Sequence, residues 1–283
     1  MAIQRRIQSV INAHPTSDGE GVKIRRVAGF DNPNFSPFLM IDELKSDNQA
    51  DYVGGFPTHP HRGIETLTYM LEGHFQHKDH MGNVGELKPG GAQWMAAGRG
   101  VLHSEMPIME SGQLHGFQIW INQPSQFKMS PSQYADFQAD TIPEYRGDSI
   151  GKLRVIAGEV EILGKHSFVG PVSNSSATFS LSDWQAGSQK SITLTGHPGD
   201  SVMLFAYNGN ASVGQDMINE GQIAFLGKGD ELKISTSTGC GLLIFTGTPI
   251  DEKVVHYGPF VMNSAEEIEQ AIRDYNQGVF HSY

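Results

Sequence analysis

The chain has 283 residues, a formal net charge of −11, 33 glycines, 14 prolines and a single cysteine. The acidic balance excludes nucleic-acid binding through a general basic surface, and Cys240 alone excludes an intrachain disulfide and fits a reducing compartment. Residues 1–20 lack the apolar centre of a signal peptide and no run approaches a membrane span, so the expectation is a soluble cytoplasmic protein able to bury one large core or two ordinary ones.

In chain order, short alternating or apolar segments fall at 22–27, 38–41, 65–71, 92–95 and 117–121. Others follow at 152–156, 177–181, 191–194, 202–206, 222–226, 231–234 and 242–245. Gly, Asn, Asp and Pro punctuate them, which reads as an all-β protein of sandwich or barrel type. Stretch 123–150 is polar, proline-containing and poor in strand signal, and is read as a connection. The similar spacing of strand signals on its two sides predicts two barrels of one architecture, residues 1–135 and 136–283. One helix is marked near the end. Ser264 stands at the N-cap with Glu267 three residues on, Ile268, Ala271, Ile272 and Tyr275 form one apolar stripe, and Gly278 terminates it.

The chemistry concentrates in two pairs, His59-Pro60-His61 and His103-Ser104-Glu105. Spacing of i, i+2 on a strand puts both side chains on one face, roughly 6.6 Å apart. Two such strands side by side converge three imidazoles and one carboxylate. A nitrogen and oxygen donor set without thiolate suits Fe, Mn, Ni, Cu or Zn. The plainer reading of a lone His-x-His is a pair of half-exposed strand histidines. Against it stand Gly54-Gly55 and Gly63 around the first pair, Gly98-Arg99-Gly100 before the second, and Pro60, which belongs at a strand edge or barrel mouth. Four ligands leave open positions for substrate or oxygen. The second half carries no such pair and is expected to bind no metal.

Other histidines are weighed and set aside. His74, His77 and His80 read as a solvated hairpin, with His77 a candidate polar group inside the barrel. His115 reads as pocket lining, and His14, His166, His197, His256 and His281 as ordinary surface or core residues. Cys240, ahead of an apolar run and without basic neighbours, reads as buried rather than nucleophilic. The loops at 147–149 and 196–200 lack the strand-loop-helix setting of a phosphate cradle.

FPTHPHRGIETLTYMLEG (56–73), GNVGELKPGGAQWMAAGRGVLHSEMP (82–107) and HGFQIWIN (115–122) together resemble the pirin family of the cupin superfamily. RVAGFDNPNFSPFLMIDE (26–43) and GPFVMNSAEEIEQAIRDYNQGVF (258–280) resemble its two ends, so the likeness spans nearly the whole chain. The resemblance implies a bicupin: two face-to-face jelly-roll β-barrels with a short C-terminal helix, the first holding one divalent metal, usually Fe(II). Its ligands would be His59, His61, His103 and Glu105. The implied activity is that of a quercetin 2,3-dioxygenase, which opens a flavonol ring with O2, with Glu105 as general base. Phe56, Trp94, Met95 and Phe117 are expected to wall the aromatic substrate's pocket. The alternative implied role is a redox- or metal-sensing regulator acting through a protein partner. A monomer is expected, because each barrel covers the other's face. Pro107 stands where cupins place an asparagine. Glu65 stands where many cupins place the carboxylate ligand. From His61 it lies another 13 Å along an extended strand, so a structural role beside Arg62 or Arg99 is expected.

Overall fold

A computed structural model describes residues 2–109, 111–165 and 167–280, which leaves the expectations for His166 and His281 outside it. The chain is 56% strand and 8% helix. Two jelly-roll barrels form, as expected. The first is built from two sheets. One is seven-stranded, in the order Gln133–Phe137, Ala92–Ala96, Ile64–Glu72, Leu114–Asn122, Phe38–Ser46, Val22–Ala28, His14–Asp18. The other runs Phe56–His61, Val101–Pro107, Phe75–Asp79, Val84–Leu87. The second barrel is a curled twelve-stranded sheet.

Stretch 123–150 is more than a connection. It holds an outer strand at each end, Gln133–Phe137 pairing with Ala92–Ala96 and Glu144–Gly147 pairing with Gly151–Ala157. Both elements end their sheets, where half the backbone and many side chains meet water, so polar sequence is tolerated and the strand signal fades.

The barrels meet through one continuous apolar core. Phe38 sets its ring edge against Phe179 (centroids 5.6 Å, 74°) and Phe245 (5.2 Å, 80°), and Phe117 does the same to Phe205 (6.1 Å, 80°). A polar tie crosses the same interface: Tyr69 donates at 2.8 Å to the buried Asp183, which also accepts from Tyr207 of its own barrel at 2.6 Å.

The chain's ends are exchanged between the barrels. Strand Ile7–Asn12 pairs with Gln222–Leu226 of the second barrel. The C-terminal segment returns to the first, where Arg62 bridges to Phe260 and Lys128 Nζ donates to the carbonyls of Gly63 (2.7 Å) and Val261 (2.9 Å). Helix Ala265–Asn276 carries the expected capping box and buries Ile268 and Ala271. Its Asp274 pairs with Arg62 at 2.8 Å.

Candidate metal centre

The two ligand pairs lie on adjacent antiparallel strands. His61 opposes Val101 and His59 opposes His103, with a bulge between His103 and Glu105. A bulge re-aims side chains along a strand. Gly63 closes the turn after the first pair with φ +78°, and a Cβ there would stand 2.0 Å from the Val261 carbonyl oxygen. Only glycine fits that approach.

Ligand atoms of His59, His61 and His103 lie within 4.8 Å of one another. The His59 and His61 Nε2 atoms are 3.0 Å apart, and the His103 ring centroid is 4.4 and 5.0 Å from those of His59 and His61. Glu105 falls in a second cluster, with His103 and His77, that meets the same 4.8 Å limit. Its Oε1 accepts from Thr68 Oγ1 (3.1 Å) and its Oε2 from Gln118 Nε2 (2.6 Å).

The donors suit a divalent transition metal. His59 Nδ1 lies 2.8 Å from the Pro57 carbonyl oxygen, so this nitrogen carries the proton and Nε2 keeps its lone pair. His103 Nε2 is buried and has no hydrogen-bond partner among the described residues, a cost that an ion would remove. Burial holds His59 below the usual imidazole range. His61 and His103 are held well below it, by burial first and neighbouring imidazoles second, so all three are neutral and able to ligate. Burial pushes the Glu105 carboxyl up to about 7, against the opposing hydrogen bonds from Thr68 and Gln118.

A cavity of about 490 Å³ opens over this centre. Trp120 presents its ring at right angles to His61 (5.0 Å, 86°), Phe30 stands edge-on to Trp120 (6.4 Å, 89°), and His256 stacks on Phe30 (4.0 Å, 19°). Phe56, Pro57, Met40 and Pro259 complete the apolar wall, and Arg26, bound to Asp42 at 2.8 and 2.6 Å, forms the polar edge. A larger cleft of about 960 Å³ lies between the barrels, but none of the converging ligands lines it. His59, His61 and Glu105 line the smaller space instead.

Of the four expected pocket walls only Phe56 lines this cavity. Phe117 and Trp94 belong to the core shared by the barrels, and Met95 packs with Leu39, Ile64 and Val261. Both faces of strand Leu114–Asn122 are covered, one by the second barrel, so its alternation carries no sign. The face holding Gln118 and Trp120 is the one that meets the cavity. Glu65 is structural, as expected, but its partners are Trp94 Nε1 (2.8 Å) and Ser176 (N at 2.8 Å, Oγ at 2.6 Å), not an arginine. For His77 the solvated reading is corrected, and the candidate polar group inside the barrel is what forms. The residue is 2% exposed, stacks on Tyr134 (4.3 Å, 18°) and bonds Asp79 Oδ2 at 3.2 Å. His256, read as ordinary, stands at the cavity mouth.

Two family models match, Pirin over residues 21–121 and the pirin C-terminal cupin domain over residues 181–281. The chain belongs to the pirin family. Among its relatives is a Vibrio cholerae protein named "Putative quercetin 2,3-dioxygenase", 58% identical with all of both chains covered. Human pirin is 35% identical over 97% of this chain and 93% of its own. A crystal structure of quercetin 2,3-dioxygenase from Acinetobacter baumannii superimposes with TM-score 0.89, at 30% identity over 98% of this chain and 99% of that one. A bacterial pirin from Escherichia coli, in complex with nickel(II), shares the fold (TM-score 0.65, 21% identity, 86% and 99% covered). Among the described residues of this pirin, no helix is long and apolar enough to cross a membrane.

Proposed function

We propose that this pirin is a metal-dependent dioxygenase of the quercetin 2,3-dioxygenase type, holding one divalent metal, Fe(II) first among the candidates, on His59, His61, His103 and Glu105. The observation that carries the proposal is the unpartnered, buried Nε2 of His103 converging with two neutral imidazoles under an aromatic-walled cavity. The relatives' names support the substrate class, and the cavity lies within the roughly 300–1,000 Å³ usual for small-molecule sites. Bound there, the metal supplies a Lewis-acidic, redox-active centre that lowers the pKa of a ligated hydroxyl.

The protein supplies the remainder. Trp120, Phe30 and His256 form a slot for a flat aromatic ring and exclude water from it. Glu105 takes the proton of the substrate's hydroxyl on a carboxylate oxygen. Burial raises this carboxyl to about 7 in the metal-free protein, and a ligated cation would lower it, which leaves an ionised acceptor at neutral pH. Gln118 and Thr68 hold the carboxylate in place by hydrogen bonds at 2.6 and 3.1 Å, so losing either should misalign the base before it costs stability. The deprotonated, electron-rich substrate is then the species that reacts with O2.

The test is oxygen uptake by iron- or manganese-loaded protein with quercetin. Uptake that vanishes in Glu105→Gln while metal is retained supports the reading. No uptake with any flavonol refutes it and leaves the centre a structural or sensing one.

A further inference from the structure

The residues behind His103 decide which of its nitrogens faces the centre. The Asp79 side chain is fully buried and its carboxylate is fixed by three donors: the backbone N–H groups of Met81 (2.9 Å) and Asn83 (3.0 Å), and Asn83 Nδ2 (2.8 Å). His77 Nε2 lies 3.2 Å from Asp79 Oδ2. An ionised carboxylate only accepts, so His77 carries its proton on Nε2 and its lone pair on Nδ1. That Nδ1 faces His103 Nδ1 at 3.5 Å. Two facing lone pairs would repel, so the proton in this long contact sits on His103 Nδ1. His103 Nε2 is then left with its lone pair free, and this atom is buried with no hydrogen-bond partner among the described residues. The stacked Tyr134 ring sets the plane of His77 and hence the direction of its Nδ1.

We propose that Asp79 and His77 are positioning residues which lock His103 in the Nδ1–H form and so present its Nε2 to the metal. The consequence for affinity rests on the metal reading above. The tautomer chain itself is a property of the metal-free protein. Partners of this kind that orient a metal-ligating histidine are typically worth about 10- to 100-fold in metal affinity. The rival arrangement, in which His77 Nδ1 and His103 Nδ1 are themselves ligands in the cluster with Glu105, requires the opposite form of His103, protonated on Nε2.

The experiment is long-range proton–nitrogen NMR of the metal-free, histidine-labelled protein above the imidazole titration range, followed by Zn(II) competition titrations of His77→Phe and His77→Gln. The expected result is His77 protonated on Nε2, His103 protonated on Nδ1, and Zn(II) affinity about 10- to 100-fold weaker in His77→Phe. His77→Gln, whose side-chain carbonyl can still accept from His103 Nδ1, recovers part of that loss, which a merely space-filling role would not produce. His103 protonated on Nε2, or His77→Phe with wild-type affinity, overturns the proposal. Should the phenylalanine variant fail to fold, the wild-type spectrum alone still decides. The expected tautomers in a protein that takes up no metal would sink the metal reading and leave the positioning chain standing.

Discussion

Arg62, the residue after His61, ties strand Phe56–His61 to the C-terminal helix. Its side chain is 3% exposed, pairs with Asp274 at 2.8 Å, and donates to the carbonyl oxygens of Arg99 and Phe280, the latter at 3.3 Å. The guanidinium also stands 4.5 Å over the Phe280 ring. Arg62→Met keeps the apolar stem and removes every one of these contacts. Deleting one partner of a buried pair costs roughly 3–5 kcal/mol. Asp274, 15% exposed, recovers some hydration, which places the loss near the lower end, about 3 kcal/mol. For a chain of this size that is a fall of about 6–12 °C in thermal midpoint. Urea unfolding of Arg62→Met, Asp274→Asn and the double variant isolates the pair, with an expected coupling of about 1–3 kcal/mol. The sign with pH is also set. Burial alone would raise the Asp274 pKa, but hydrogen bonds from Arg62 and Gln270 outweigh it and hold it low. The pair's contribution is therefore present above the ordinary carboxylate range and is lost as pH falls through the folded-state value. An Arg62→Met protein within 0.5 kcal/mol of wild type, or strict additivity in the cycle, would refute the reasoning.

Other outcomes are expected of the same structure. His61→Ala and His103→Ala should stay folded yet lose the metal by elemental analysis; unchanged content in both would remove them from the ligand set. Zn(II) affinity should fall as pH drops below about 7, because the Glu105 carboxyl, raised to about 7, must lose its proton while the imidazoles are already neutral. A competition titration flat across that pH, or a slope that persists unchanged in Glu105→Gln, would contradict this. Gly63→Ala, forced into a left-handed backbone and against Val261, should cost about 2 kcal/mol or more in chemical denaturation. A neutral result would mean that the C-terminal segment yields freely.

The two candidate pairs were legible because a strand's period of two is a local property. Four residues at i, i+2 needed only neighbouring strands, which Phe56–His61 and Val101–Pro107 provide. The capping box of Ser264 and Glu267 was equally local. For His77 only the place inside the barrel was legible. Its value comes from the register that sets Glu105 opposite His77 and His103 opposite Asp79, and no spacing along the chain reports that. His256 reaches the cavity only because the chain returns from the second barrel to the first. Glu65 lacked its partner for the same reason, since Ser176 comes from the other barrel. Phe117 was expected to wall the pocket and lies in the core instead, because its face of the strand is covered by the second barrel, a case in which alternation counts but does not point.

The most direct measurement is an anomalous-scattering map from crystals of metal-loaded protein, collected at the metal's absorption edge. One peak per chain among the imidazoles of His59, His61 and His103, with the Glu105 carboxylate alongside, is the expected result. A peak elsewhere, or none in protein that has been given the metal, would contradict the account.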